Sequence, residues 1–318
     1  MSPLGHWLCG VVIAVSGMLS GVFVLGVNAW MQQPVGFEMA DGQVVVTDPI
    51  AIFKQPLWFY MAWHSTLACY AAVGFAAAGW YAWRARRGER TATTRAGLVT
   101  AMCVGGVAAL LQPVSGDLLA KYVFKTQPVK FAAMEGQFKT ERYAPLRIGG
   151  VPDEASGVTR WAIEIPGGLS FLATGDHSTE VPGLDGVPPE DRPNVGLTHL
   201  AFQVMVGLGT VMAAISAWFA WAMIRRRELL LERRWLLRAL AMAAPMGFIA
   251  LEAGWFVTEV GRQPWVINGV MRTSDAVTPA EGVQAMLVAF TVLYLLLGVT
   301  VIVLLRRLGR SGSSATHE

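Results

Sequence analysis

Six apolar runs, each near the length that crosses a lipid bilayer, constrain this chain more than any other feature. They lie at residues 8–27, 58–83, 96–112, 197–224, 235–257 and 285–305. An α-helix rises about 1.5 Å per residue, so about 20 apolar residues bridge the hydrocarbon core. Within that core every backbone polar group must find its partner inside the segment, which selects helices. The predicted fold class is therefore an all-α integral membrane protein, a six-transmembrane-helix bundle with a long extracytoplasmic loop. Composition agrees: 54% of the residues are hydrophobic and 15% charged, whereas soluble domains carry about 25% charged residues. The small net charge of +3 argues against nucleic acid as a partner and leaves the lipid bilayer as the expected solvent. The first run has no basic leading region and no clear small-residue cleavage site before Asn28, so a span is expected there rather than a signal peptide.

Arginine placement predicts the orientation. Arg84, Arg86, Arg87, Arg90 and Arg95 follow the second run, Arg225, Arg226, Arg227, Arg233 and Arg234 the fourth, and Arg306, Arg307 and Arg310 the sixth. Short basic connections stay in the cytoplasm. These three markers alternate with six spans and put both termini inside. Segments 28–57, 113–196 and 258–284 then lie outside. The chain divides into residues 1–112 with the first three spans, the outer segment 113–196, residues 197–310 with the last three spans, and a polar tail at 311–318. Cys9, Cys69 and Cys103 each fall in an apolar run without a C-x-x-C pair, and are expected as small buried hydrophobes.

Ionisable residues inside spans are costly, so each is a functional candidate. His64 and Met205 both lie about two turns inside the outer ends of the second and fourth runs. An imidazole nitrogen and a thioether sulfur at one depth can bind a low-spin haem iron from its two sides. A hydrogen-bonded core histidine and a packing methionine are the commoner outcome, and the chain has 14 methionines. Glu252, Trp255 and Glu259 share one helical face by their spacing. A carboxylate near the membrane edge can ligate iron, relay protons or pair with a cation. Arg262, three residues beyond Glu259, makes a simple salt bridge the plain alternative. Lys130 and Glu135 sit in QPVKFAAMEG, residues 127–136. There they could handle the protons of a quinol as electrons leave, or form a solvated pair of loop charges.

Several strings together resemble subunit I of the cytochrome bd quinol oxidases. The most specific is EAGWFVTEVGRQPW at residues 252–265. NAWMQQPVG at 28–36 is similar to the segment after that family's fourth helix, QPVKFAAMEG to its quinol-binding Q-loop, and MVGLG at 205–209 to the start of a later helix. All occur in family order. The resemblance implies that His64, in WHSTLACY, and Met205 ligate a low-spin haem b of the b558 kind. It implies that Glu259 ligates a high-spin haem b of the b595 kind, with Trp255 beside it. It implies quinol oxidation at Lys130 and Glu135, and places Asn28, Glu252, Arg262 and Trp265 near the haems. A second membrane oxidase subunit would be the partner, quinol the substrate, and the bacterial inner membrane the location.

Two departures stand out. The family has three further helices before the one that begins here, and they carry the ligand of haem d, the oxygen-reducing haem. Haem d is thus expected only where a separate N-terminal partner supplies that ligand. The family also usually has arginine two residues before the methionine ligand, where this chain has Gln203. Glutamine brings no charge to a haem propionate, so a lowered haem potential is expected. A redox titration giving the family's ordinary potential would contradict that. The implied function is the haem b- and quinol-binding part of a bd-type oxidase. The alternatives are an electron-transfer subunit without haem d and a haem-free membrane scaffold.

Overall fold

The computed structural model describes residues 2–40, 43–46 and 48–314. Helix α1 spans Pro3–Gln32. A two-stranded hairpin follows, β1 Phe37–Ala40 with β2 Gln43–Val46, then the short α2 Ala51–Lys54. Helices α3 Pro56–Arg86 and α4 Ala92–Thr126 make a long antiparallel pair. The Pro56 ring at the first turn suits the start of α3, where a missing N–H costs nothing. Thr91 caps α4 by accepting a hydrogen bond from the Thr94 amide at 3.1 Å.

Between α4 and α7 lies the loop region. It holds α5 Pro128–Glu135 and six short strands: β3 Glu141–Arg142, β4 Leu146–Ile148, β5 Val151–Asp153, β6 Val158–Arg160, β7 Ile163–Ile165 and, after α6 Gly168–Thr174, β8 Glu180–Val181. The strands pair antiparallel as β3 with β8, β4 with β7 and β5 with β6, with Leu146 opposite Ile165. Helix α7 runs Val195–Arg226, α8 Arg234–Ala243 and α9 Met246–Val260, and β9 Trp265–Ile267 pairs with β10 Met271–Arg272. Residues 276–318 form a second compact unit containing α10 Val283–Ser314.

Among the described residues, five helical stretches are long and apolar enough to cross a membrane: Pro3–Gln32, Ala92–Thr126, Pro189–Arg226, Arg234–Val260 and Val283–Arg307. They contain the first, third, fourth, fifth and sixth expected runs. The second run lies in α3, which has the length at 31 residues but whose tryptophans, tyrosines, glycines and His64 lower its mean hydropathy. Three boundaries need correction. The third run does not stop at 112: α4 continues through Pro113 to Thr126. A proline in a packed membrane helix is tolerated where neighbours re-satisfy the freed carbonyl. The fifth run is not one smooth helix: it breaks at residues 244–245 between α8 and α9, where Pro245 cannot donate to the preceding turn. Of the tail, 311–314 continue α10, and 315–318 lie outside the described residues.

Small residues let the helices approach closely. A Cβ on Gly74 of α3 would stand 2.3 Å from Gly105 Cα of α4, and one on Gly247 of α9 would stand 2.4 Å from Ala72 Cα of α3. Such backbone contact is how helices associate where lipid supplies no hydrophobic drive. Around it pack Phe75, Leu98, Leu236, Leu237 and Leu240, all fully buried. Cys9, Cys69 and Cys103 depart from expectation, since all three are free thiols at the surface of the chain. In a bilayer a small apolar side chain can face lipid as readily as a core.

Candidate functional site

The polar chemistry gathers around α5. Pro128 starts the helix, and Gly136, with φ 62°, ends it in the left-handed conformation. A Cβ on Gly136 would meet Thr159 Oγ1 at 2.6 Å. The helix buries both of its ionisable side chains, leaving Lys130 7% and Glu135 6% exposed. Burial penalises the charged form of each. Lys130 is pushed down to about 7, chiefly by burial and further by Arg262, with Glu259 opposing. Glu135 is pushed up to about 7 by burial, with Arg147 opposing. They lie five positions apart on the helix, so they point roughly 140° apart.

Lys130 belongs to a network joining α1, α5 and α9. Its Nζ donates to Gln32 Oε1 at 2.6 Å and to the Thr258 carbonyl at 3.4 Å. Gln32 Nε2 donates to Asn28 Oδ1 at 2.7 Å, and Asn28 Nδ2 donates to Glu259 Oε1 at 2.5 Å. The other oxygen of Glu259 accepts from Arg262. The plain salt bridge expected from the sequence is thus present, with the Arg262 side chain 6% exposed and that of Glu259 41%. Gly261 packs on the Lys130 stem, where a Cβ would meet Cγ at 3.2 Å. Beside this network lies a cavity of about 300 Å³ lined by Gln127, Lys130, Asp191, Arg262, Trp265 and Asn268, among others. The Q-loop-like string and the GRQPW string therefore meet at one pocket. The Arg272 guanidinium lies over the Trp265 ring at 4.8 Å.

Glu135 faces away from that network. Its Oε2 is buried without a hydrogen-bond partner. The residue before it, Met134, offers its carbonyl to His199 Nδ1 at 2.8 Å. The structure thus separates the two α5 residues that the sequence places in one role.

His64 of α3 has its Nδ1 2.9 Å from Ser115 Oγ of α4, and that hydroxyl also donates to the Gln112 carbonyl at 2.9 Å. Met205 of α7 sets its sulfur against Gly254 of α9, where a Cβ would stand 3.1 Å away. Helix α3 packs on α4, α4 on α7, α7 on α9, and α9 on α3. The four helices close a ring in which His64 and Met205 come from α3 and α7, one of its two diagonal pairs. Trp255 packs among Leu25, Leu57 and Met61 of α1 and α3. Glu252 is exposed on α9 and makes no bond to this network among the described residues. Gln203 bonds to loop backbone, donating to the Arg147 carbonyl at 3.1 Å and accepting from the Gly149 amide at 3.0 Å.

Two observations bear on a haem. Arg262 Nε and Nη1 are buried with no partner, and an anionic propionate would satisfy them. No cluster of three or more His, Cys, Asp or Glu that could hold a bare metal ion occurs among the described residues, so a metal here would need a ligand frame of its own, such as a porphyrin. His64 and Met205, one donor each, suit that demand. Gln32 and Ser115 were not legible as site residues. Gln32 lies one helical turn after Asn28, the available signal, while Ser115 falls beyond Pro113, where the sequence predicts loop.

A family model described as cytochrome bd terminal oxidase subunit I matches residues 1–313. The chain is 34% identical over 311 residues to a putative cytochrome bd menaquinol oxidase subunit I of Bacillus subtilis, covering 96% of this chain and 69% of that protein. It is 30% identical to the cytochrome bd ubiquinol oxidase subunit 1 of the same organism, covering 98% of this chain and 69% of that one. Against the cytochrome bd-II ubiquinol oxidase subunit 1 of Escherichia coli it is 26% identical, covering 98% of this chain and 74% of that one. The bd oxidase structure from Geobacillus thermodenitrificans superposes with a TM-score of 0.86 at 32% identity, covering 98% of this chain and 71% of that one. On the matched family model and these identities, the chain belongs to the cytochrome bd terminal oxidase subunit I family.

Proposed function

We propose that this chain is the haem b- and quinol-binding part of a cytochrome bd-type quinol:oxygen oxidoreductase, acting with a second membrane subunit in the bacterial inner membrane. The observation that carries this is the pocket where Lys130, Arg262 and Trp265 converge beside the Glu259 network. The relatives are named as menaquinol and ubiquinol oxidases, and the pocket presents a cation and an aromatic ring to a ligand of that kind.

Ser115 at His64 Nδ1 leaves Nε2 free, and that nitrogen and the Met205 sulfur would hold a low-spin haem. Glu259 would hold a high-spin haem, and the unpaired Arg262 donors would take a propionate. Haem bound there supplies an acceptor for the electrons of quinol. Lys130, poised near pH 7 between ammonium and amine, orients a quinol oxygen in the pocket. Glu135, which faces away from this pocket, would receive a released proton by relay and not by direct contact with quinol. The proposed topology has six spans, α3 being the sixth, with both termini in the cytoplasm and the α5 segment outside. Proton release from quinol would then occur on the outer face.

The test is anaerobic reduction of the purified complex by a quinol. Rapid appearance of a reduced haem b spectrum, slowed in Lys130→Met, supports the proposal. Haem that dithionite reduces but quinol does not would refute it.

A further inference from the structure

Helix α7 grips the loop region through two side chains one turn apart. Gln203 Nε2 donates to the Arg147 carbonyl at 3.1 Å, and its Oε1 accepts from the Gly149 amide at 3.0 Å. His199, fully buried, sets Nε2 3.0 Å from the Gly149 carbonyl and Nδ1 2.8 Å from the Met134 carbonyl. The Gly149 peptide is therefore held on both its N–H and C=O sides. Gly149 has φ 68°, and its left-handed turn carries the chain out of β4 toward β5.

The backbone so held carries Arg147. Its Nε donates to Glu164 Oε1 at 2.9 Å, it also donates to Gln137 Oε1, and its Nη2 lies 3.8 Å from Glu141 Oε1. Gln137 is fully buried and lies two residues from Glu135. A cleft of about 180 Å³ lined by Gly136, Lys139, Glu141, Arg147 and Glu164 adjoins this end of α5. Glu135, with one oxygen unpartnered, is the buried carboxyl there. The charge acting on it is Arg147 from β4, while His199 from α7 bonds the neighbouring Met134 carbonyl and Lys139, Glu141 and Glu164 line the adjoining cleft. On α4, which also packs against α5, Lys121 and Asp117 pair with each other and Lys125 is exposed. Lys130 on α5 itself points into the other network.

We propose that Gln203 is a positioning residue, whose side-chain amide fixes the backbone of residues 147–149 so that the Arg147 guanidinium stays bonded to Gln137, two residues along the chain from Glu135. This rests on Glu135 being the proton acceptor of quinol oxidation. A bound haem would supply the acceptor for the electrons of quinol, and Glu135 is the buried carboxyl offered to a released proton. A nearby guanidinium favours that carboxylate against its burial. Gln203 thus acts on the chemistry through Arg147 and does not touch quinol. Glutamine suits the place because its amide both donates and accepts along one strand edge.

The test is the pH profile of quinol oxidation by the intact complex. In the wild type the rate rises with pH as Glu135 loses its proton. In Gln203→Met that limb moves to higher pH by about one unit or less. Arg147→Met moves it further in the same direction, Arg147→Lys largely restores it, and the Gln203→Met/Arg147→Met pair moves it no further than Arg147→Met alone. Gln203→Ser, which also breaks both contacts, is the second variant if the methionine form does not assemble. Glu135→Gln separates the two levels. If it keeps the limb, Glu135 is not the acceptor and the underlying assignment fails. If it loses the limb but both Gln203 variants keep the wild-type profile, the positioning role is overturned.

Discussion

The two ends of α5 bury opposite charges in opposite ways. At the start of the helix, Lys130 donates to Gln32 and to the Thr258 carbonyl, and a chain of bonds runs on through Asn28 to Glu259 and Arg262. At the other end, Glu135 keeps an oxygen with no partner among the described residues, and Arg147 acts on it as a counter-charge. A buried side chain tied into a bonded network is suited to hold a ligand in place. One left unsatisfied costs stability and is a candidate for proton traffic. On the proposed function, the Lys130 end binds quinol and the Glu135 end takes up a proton.

That division is breakable by substitution. Glu135→Gln should lower kcat for quinol oxidation by about 100-fold with little change in KM, the size of effect expected for a lost general base. Lys130→Met should do the reverse, raising KM about tenfold for a lost charged hydrogen bond. Equal effects on kcat from both would dissolve the contrast.

The pH dependence sharpens it further. Glu135 is held up near 7 from an ordinary value of 4.5, so its carboxylate form grows as pH rises through 7. The quinol oxidation rate should rise with it, flatten in Glu135→Gln, and persist in Lys130→Met. Stability moves the other way. A buried carboxyl with a raised pKa contributes most at low pH, and the wild type should lose thermal stability relative to Glu135→Gln as pH rises from 4.5 to about 7. The smallest effect is at the cap that ends α5 just after Glu135. Gly136→Ala forces a Cβ into a left-handed residue against Thr159 and should cost at least about 1 kcal/mol of stability in a denaturation midpoint.

Much of the membrane part was legible because its determinants are local. Apolar run length marks each helix, and the spacing of Glu259 and Arg262 alone announces their salt bridge. The errors come where a local rule yields to packing. Pro113 signals an end, yet α4 runs on to Thr126, because a proline inside a packed bundle need not break a helix. Ser115 was lost to the site for that reason. Cys69 and Cys103 look like core residues by their apolar neighbours, but a bilayer accepts the same side chains on the outside. The Glu135 end was the least legible. Its partner Arg147 lies across an irregular stretch, and the residues that fix it, His199 and Gln203, lie more than 60 positions away from Glu135 on α7. No periodicity links them. Only the motif resemblance singled out Gln203, and it pointed toward a haem, whereas the side chain bonds to loop backbone.

The claim beneath the whole assignment is that His64 and Met205, from the diagonal pair α3 and α7 of the α3–α4–α7–α9 ring, hold one low-spin haem. Its most direct measurement is the reduced-minus-oxidised absorption spectrum of the purified complex beside those of His64→Ala and Met205→Leu. The low-spin haem b band should vanish in His64→Ala and shift in Met205→Leu, while the high-spin signal assigned to Glu259 remains. A low-spin band of wild-type position and size in His64→Ala would contradict the account.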